Sequence, residues 1–415
     1  MGAVVKPLHV NPVRLSQPMG ATLAFLGIDR CMPLMHGAQG CASFTKVFLT
    51  RHYCDPIAIQ TTAVTDISAI LDGGGAIIEE AVKNITAKVT PKLIGLFSTG
   101  LTETKGDDIA GAAKQISLPC VHVNTPDFEG GLESGWAKAV SAMISQLTIS
   151  TTSTCKRKVA ILPHVGISAL ELERIKQMVR LFELEPVVLP DISLSLDGHL
   201  GQKQTALSSG GTDLEEIIHL GSVQGCISIG ASMRECAKTL LEKNPKIVHH
   251  HFMHLSGLEA TDAFVKLLLD FSGKEAPDEC KRWRARLQDA LLDTHEILGS
   301  KRIALIGESD EIAHYGALLQ EAGAKLDLVI GANPSENLEI LGGFVGDFED
   351  LEKQIKSIDL VIGNSHALNI ASKFNIPWIP RGFPQWHRVG APMRQAILYE
   401  GGCMSLFEIA NALSH

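Results

Sequence analysis

The amino-acid sequence predicts an α/β protein of three Rossmann-like domains, each a mainly parallel sheet flanked by helices. Three observations lead there. Short apolar, β-branched runs alternate with helical patterns almost throughout the 415 residues. Those runs are continuous rather than alternating, as expected of strands covered on both faces. The length is that of roughly two to four domains, each able to bury a core unaided.

Taken in order, 31–35 reads as a short apolar strand and 42–49 as an amphipathic helix. Further strands are expected at 92–97, 120–123, 159–162, 186–189, 227–229, 303–306, 326–330 and 359–362. Helices lie between them. One runs from Ser168, a plausible N-cap, to Leu184; others span 310–322 and 278–298. The polar stretch 150–158 precedes a fresh strand, and Gly299, Lys301 and Arg302 end a long helix before another. These breaks divide the chain into 1–155, 156–300 and 301–415. No close internal repeat is visible.

Net charge is −9, from 37 basic and 46 acidic side chains, and no basic stripe is present to neutralise phosphates. Nucleic acid is therefore not expected as a partner. No apolar stretch is long enough to span a bilayer, so no membrane is expected either. The first residues lack a secretory apolar segment, and Lys6 stands where a myristoylation signal wants Ser or Thr. A cytoplasmic protein is the expectation. Nine scattered cysteines fit reduced thiols better than a disulfide framework.

Loops at the carboxyl ends of parallel strands hold ligands in such sheets, and three follow expected strands: 98–108, 124–130 and 363–367. A fourth, His36-Gly37-Ala38-Gln39-Gly40-Cys41, joins the first strand to its helix. Gly37 and Gly40 let the backbone turn sharply and approach a bulky ligand. Cys41 then sits near a helix N-terminus, where the dipole favours the thiolate that binds iron. A structural cysteine at the same junction is the competing reading. There is no CxxC pair, and Cys31 and Cys54 read as buried or incidental thiols. If Cys41 holds a cluster, a partner must supply the remaining ligands.

Other motifs carry less. No Walker loop or GxGxxG follows a strand, so neither ATP nor NAD is expected. Gly73-Gly74-Gly75, behind Asp72, reads as a helix start. Gly363-Asn364-Ser365-His366-Ala367 approaches a nucleophile elbow, with only Glu400, Glu408, His387 and His415 as later partners. A helix cap by Asn364 or Ser365 is the simpler reading. His249-His250-His251 with His254 could meet a transition metal. Consecutive strand residues point to opposite faces, so an exposed or loop run is expected instead.

Several segments in one order carry a resemblance. They are Ser16-Gln17-Pro18-Met19-Gly20-Ala21, the run from Met32 through Cys41, and Ser98-Thr99-Gly100-Leu101-Thr102-Glu103-Thr104. Asn124-Thr125-Pro126-Asp127-Phe128, Ser195-Leu196-Asp197-Gly198-His199-Leu200 and the run from Leu287 to His295 follow. Val361-Ile362-Gly363-Asn364-Ser365-His366-Ala367 and Arg381-Gly382-Phe383-Pro384 complete the set. Over nearly its whole length the chain resembles the nitrogenase component 1 family, and within it the cofactor-assembly subunits that pair with NifE.

The resemblance implies three Rossmann-like domains and a heterotetramer with two NifE chains. The family's catalytic β-subunit offers three cysteines to its P-cluster. Here Cys41 matches one, while Ser16 and Gly100 stand where the other two would be. The resemblance therefore implies a single thiolate, from Cys41, on a 4Fe–4S cluster shared with NifE. Ser16, His36, Gln39 and Gly100 would surround it. The assembled complex would also carry the iron–molybdenum cofactor precursor, supplied by NifB or a carrier. NifH would dock, and apo-nitrogenase would accept the product. No catalytic residue is expected on this chain. Two alternatives stand beside this: a catalytic reductase subunit of the NifK or protochlorophyllide reductase kind, and a metal-free structural partner.

Overall fold

A computed structural model describes residues 13–53, 57–64, 74–199 and 206–414. Cys54, Asp72, Gly73, Leu200 and His415 lie outside them. The architecture is α/β as expected, with three sheets whose strand pairs all run parallel.

The first sheet has the order β2-β1-β3-β4: β1 is Cys31–His36, β2 Gln60–Thr61, β3 Leu93–Ser98 and β4 Cys120–Val123. The second has the order β6-β5-β7-β8: β5 is Cys155–Leu162, β6 Glu185–Val188, β7 Val223–Ile229 and β8 Val248–Phe252. The third has the order β11-β10-β9-β12-β13: β9 is Arg302–Gly307, β10 Lys325–Gly331, β11 Phe344–Val345, β12 Leu360–Gly363 and β13 Trp378–Pro380. Central strands β1 and β3 are buried along their whole length. That double covering is why they read as unbroken apolar runs.

The differences from expectation have local causes. β5 begins earlier, at Cys155, because its first turns are exposed and charged. Arg157 has φ 80° and the pairing register shifts between Cys155 and Val159, so an irregular, polar start hides the strand. The edge strands β2, β11 and β13 are too short to show a pattern. The histidine run is not a loop: it forms edge strand β8, partly exposed. Histidine lacks the β-branched signature on which strand recognition rests.

Eight helices matter below: α1 Gln17–Leu26, α2 Gln39–His52, α3 Gly100–Lys105, α4 Leu132–Leu147, α5 Ala169–Leu181, α6 Asp278–Leu298, α7 Ser309–Glu321 and α8 Leu398–Leu413. α5 starts where Ser168 predicts. Ser168 Oγ accepts from Glu171 N at 3.2 Å, and Glu171 Oε2 accepts from Ser168 N at 2.8 Å, a reciprocal capping box. It ends three residues short of Leu184, where Glu183 turns left-handed with φ 57°.

α1 lies against α4 with backbones in contact. A Cβ on Gly20 would stand 2.0 Å from Leu132 O, and one on Gly135 would stand 2.0 Å from Gln17 O. Glycine on both helices permits this approach and fixes the start of α1 over the first sheet. Trp136, buried on α4, donates from Nε1 to Pro163 O at 2.8 Å, tying α4 to the loop after β5.

The three sheets meet at a buried polar junction. Asp310, on α7, accepts from Ala231 N at 2.8 Å, Ser232 N at 3.0 Å and Asn337 Nδ2 at 2.8 Å. Its own N–H donates to Glu133 Oε1 of α4 at 2.6 Å. His164 and His314 meet Nε2 to Nε2 at 2.8 Å. Burial pulls both imidazoles below their ordinary pKa, His164 to about 4. Glu308 is buried, and neither of its carboxyl oxygens has a hydrogen-bond partner among the described residues. Burial, reinforced by Glu311 and Asp310, pushes it up to about 8. Burial likewise raises Glu133 well above the usual carboxylate range.

Candidate functional site

β1, β3 and β4 are neighbours and parallel, so their carboxyl ends line up along one edge. Three segments leave that edge: Gly37–Cys41 after β1, Thr99–Gly100 after β3, and 124–131 after β4. Side-chain hydroxyls lock the first two together. His36 O accepts from Thr99 Oγ1 at 3.1 Å and from Thr102 Oγ1 at 2.9 Å. Gly37 is required here, since a Cβ would stand 2.7 Å from Thr99 Oγ1. Gly40 differs: a Cβ there would meet nothing within 4 Å, so it faces open space. Neither glycine has a positive φ. The third segment is pinned by Ser98, whose Oγ accepts from Thr125 N at 2.8 Å and whose carbonyl accepts from Thr125 Oγ1 at 2.7 Å.

Cys41 is the third residue of α2 and is exposed. The expected lowering of its thiol pKa does not occur in this chain. Partial burial raises it, and the negative charge of Asp127 raises it further; backbone N–H groups oppose both. A single helix start is outweighed when the thiol is partly desolvated and a carboxylate sits alongside. Asp127 Oδ2 accepts from Gly100 N at 3.0 Å. A Cβ on Gly100 would stand 3.2 Å from that same oxygen, so the Asp127 carboxyl fills the space beside position 100. Asp127 thus brings Cys41 and Gly100 together.

Three residues on, Gly130 reaches the start of α1. A Cβ on it would lie 2.4 Å from Gln17 Nε2. Ser16, half-buried, is the N-cap of α1, and its side chain makes no cap hydrogen bond. Gln39 is exposed at the first turn of α2. His36 is fully buried and turned to other work. Its Nδ1 meets Thr62 Oγ1 at 2.9 Å and its Nε2 meets Asp107 Oδ2 at 2.9 Å. Burial lowers its pKa although Asp107 opposes the shift. Asp107 also accepts from Gly74 N at 3.2 Å, so His36 braces β1 against the helix that begins there.

Four apolar side chains on the segments that leave this edge are exposed: Phe44 (72%) and Val47 on α2, Leu101 beside Gly100, and Phe128 beside Asp127. Sequence reasoning missed this rim and Asp127. The signal for half of it was present. Only Ala42, Thr45 and Leu49 of α2 are buried, and Phe44 and Val47 fall out of phase with that inward stripe. The far end of α2 is anchored elsewhere. His52 Nδ1 accepts from Gln385 N at 3.0 Å, His52 packs edge-on against Phe383, and Phe48 packs against Trp386.

The remaining candidates resolve simply. Ser365 Oγ accepts from Trp386 N at 2.6 Å, and Asn364 Oδ1 accepts from His366 N at 3.0 Å. Glu408 is engaged by Arg381 and Arg394. Ser365 is therefore a loop tie, and among the described residues no side-chain base is hydrogen-bonded to it. Cys31 is buried and its thiol is raised by burial. Among the described residues no three His, Cys, Asp or Glu side chains gather to hold a metal ion, and no helix is long and apolar enough to cross a membrane. Among the described residues the carboxyl edge of the first sheet thus offers one exposed thiol, that of Cys41. That suits one position on a shared cluster, since such clusters usually take four thiolates.

The family described as nitrogenase component 1 type oxidoreductase matches residues 16–414. The chain belongs to that family. It is 40% identical to the nitrogenase iron–molybdenum cofactor biosynthesis protein NifN of Mesorhizobium japonicum, over 98% of this chain and 91% of that one. Identity to NifN of Rhodobacter capsulatus is 38%, over 98% and 92%. Identity to NifN of Klebsiella pneumoniae is 34%, over 98% and 92%. Among solved structures, nitrogenase Cp1 at pH 6.5 superposes with a TM-score of 0.92 at 30% identity, covering 99% of this chain and 94% of that one. Within a component 1 chain of this kind, Cys41, Gly100 and the start of α1 share one sheet edge, and the other two positions carry no sulfur.

Proposed function

We propose that this chain acts in biosynthesis of the nitrogenase iron–molybdenum cofactor, as the NifN relatives are named for doing. In this reading it is a scaffold subunit paired with NifE, two of each, and Cys41 gives one thiolate to a 4Fe–4S cluster at their interface. NifE supplies the other ligands. The observation that carries the proposal is an exposed thiol on a sheet edge whose segments also expose the apolar side chains Phe44, Val47, Leu101 and Phe128. An apolar rim of that kind fits a protein partner, and one thiolate fits a cluster completed by it.

When bound, such a cluster would supply electron transfer. This chain's own part is positional. Gly37, Thr99 and Thr102 fix the loop that presents Cys41, Gly40 leaves open space beside it, and the rim excludes water once covered. Ser16, Gln39 and Gly100 border the site, whereas His36 acts through the fold. NifH as electron donor, NifB or a carrier as source of the precursor, and apo-nitrogenase as acceptor belong to the same proposal. So do the three units 1–155, 156–300 and 301–415, each drawing the strands of one sheet nearly entirely from its own interval. The described cysteines are all free, which supports a reducing cytoplasm.

The test is Cys41→Ala in the complex co-purified with NifE. We expect interface iron and the cluster's electron paramagnetic resonance signal to fall while the heterotetramer still elutes intact. Unchanged iron and an unchanged signal would remove the thiolate assignment and leave a metal-free structural partner.

A further inference from the structure

A cavity of about 490 Å³ opens beyond the carboxyl ends of β5 and β13. Its wall draws on the end of α2, the loop after β5, α5, α7 and the segment beyond β13. Crevices outside strand carboxyl ends are where parallel sheets hold ligands.

Two guanidinium groups stand in this wall and share one carboxylate. Arg381 Nη2 donates to Glu408 Oε2 at 2.5 Å, and Arg394 Nη1 donates to Glu408 Oε1 at 3.4 Å. Arg381 is only 4% exposed and lies over the ring of Tyr315, 5.2 Å from its centre. The Nε of each arginine is buried without a hydrogen-bond partner among the described residues. Two further carboxyls line the cavity, and backbone N–H groups occupy both. Glu171 accepts from Ser168 N at 2.8 Å and from Ala396 N at 2.7 Å, and Glu311 accepts from Gly382 N at 2.6 Å. Burial raises both carboxyls, Glu311 to about 8, so Glu311 offsets little of the arginine charge at pH 7. A buried positive charge in excess of its partners is costly until a counter-ion arrives.

The end of α2 adds neutral donors. His52 Nδ1 accepts from Gln385 N at 3.0 Å, which leaves its hydrogen on Nε2. Burial and the Arg394 charge keep the ring neutral, its pKa lowered to about 3. Among the described residues no hydrogen bond ends on that Nε2 or on the Tyr53 hydroxyl.

We propose that this cavity binds a small carboxylate, held by Arg381 and Arg394 and flanked by the donors of His52 and Tyr53. The wall is rich in hydrogen atoms to give, so its ligand must accept them. Guanidinium groups match the geometry of a carboxylate. One surplus charge matches one carboxylate. A phosphate dianion would bring a second negative charge toward Glu408 and Glu171. The site is independent of the thiol on the first sheet.

The experiment is calorimetric titration of acetate, malonate and inorganic phosphate into the complex co-purified with NifE, at constant ionic strength. A saturable carboxylate site is expected, with phosphate at least about tenfold weaker. Arg394→Gln should weaken the carboxylate by at least about tenfold, the worth of one hydrogen bond to a charged group. Tyr53→Phe, which removes a single oxygen, should weaken it by at least about threefold. Lys281→Gln, an exposed exchange on α6, should leave it unchanged. Should Arg394→Gln fail to assemble, Tyr53→Phe carries the test alone. Absence of saturable carboxylate binding in the wild type overturns the proposal. So does phosphate binding as tightly as either carboxylate, equal weakening by Lys281→Gln, or unchanged affinity in an assembled Arg394→Gln or Tyr53→Phe complex.

Discussion

The carboxyl edge of the first sheet and the junction of the three sheets handle polar groups in opposite ways. At the edge, Thr99, Thr102, Ser98 and Thr125 satisfy the backbone, and a single thiol faces outward. At the junction, Asp310 collects N–H donors from two other segments while Glu308 is buried with no hydrogen-bond partner among the described residues. In the first region the thiol keeps contact with solvent. The second holds the sheets together through a charge whose removal leaves several donors unmet. Stability and function are therefore separable in this molecule.

The largest effect that could break this contrast is at Asp310. Asp310→Ala strands Ala231 N, Ser232 N and Asn337 Nδ2, and should destabilise the chain by roughly 3 kcal/mol, hydrogen bonds to charged groups being the strong ones. A thermal or urea melt within experimental error of wild type would show that the junction does not hold the sheets. Next comes Glu308. Its folded pKa is raised to about 8 from an ordinary 4.5, so the folded state binds the proton more tightly. Stability from this group is fully present below about pH 4.5 and is lost as pH rises toward 8. Glu308→Gln should flatten that decline by about 2 kcal/mol between pH 5 and pH 6.5, read from melts at both values. An identical slope in wild type and variant would mean that Glu308 is solvated.

Smaller effects are expected at the edge. Phe44→Ser should leave the melting of this chain unchanged and weaken association with NifE, seen as subunit dissociation on gel filtration. Cys41→Ser should be smallest, within about 0.5 kcal/mol of wild type as for surface substitutions elsewhere. A larger loss of chain stability at Cys41 would erase the distinction between the two regions.

Much of the fold was legible because the information is local. The apolar runs of β1, β3, β9 and β12, the capping box at Ser168 and the full span of α6 depend on neighbours close in sequence. β8 was not legible, since three histidines become a strand only through pairing with β7. The Cys41 loop could be read from its glycines and its place after a strand. The sign of its pKa shift could not. It depends first on how far folding desolvates the thiol and then on Asp127, eighty-six positions away in sequence and adjacent only because β1, β3 and β4 align. Glu308 and Asp310 look like an ordinary helix start in sequence; their burial is a property of three sheets meeting.

α2 has one further consequence. Fourteen helical residues make a rod about 21 Å long. Its middle is lightly held, and its far end is clasped by Phe383, Gln385 and Trp386 beyond β13. A load applied at Cys41 is therefore shared between the loop after β1, held by Thr99 and Thr102, and the segment beyond β13. One helix thus joins the edge of the first sheet to the segment that follows the third.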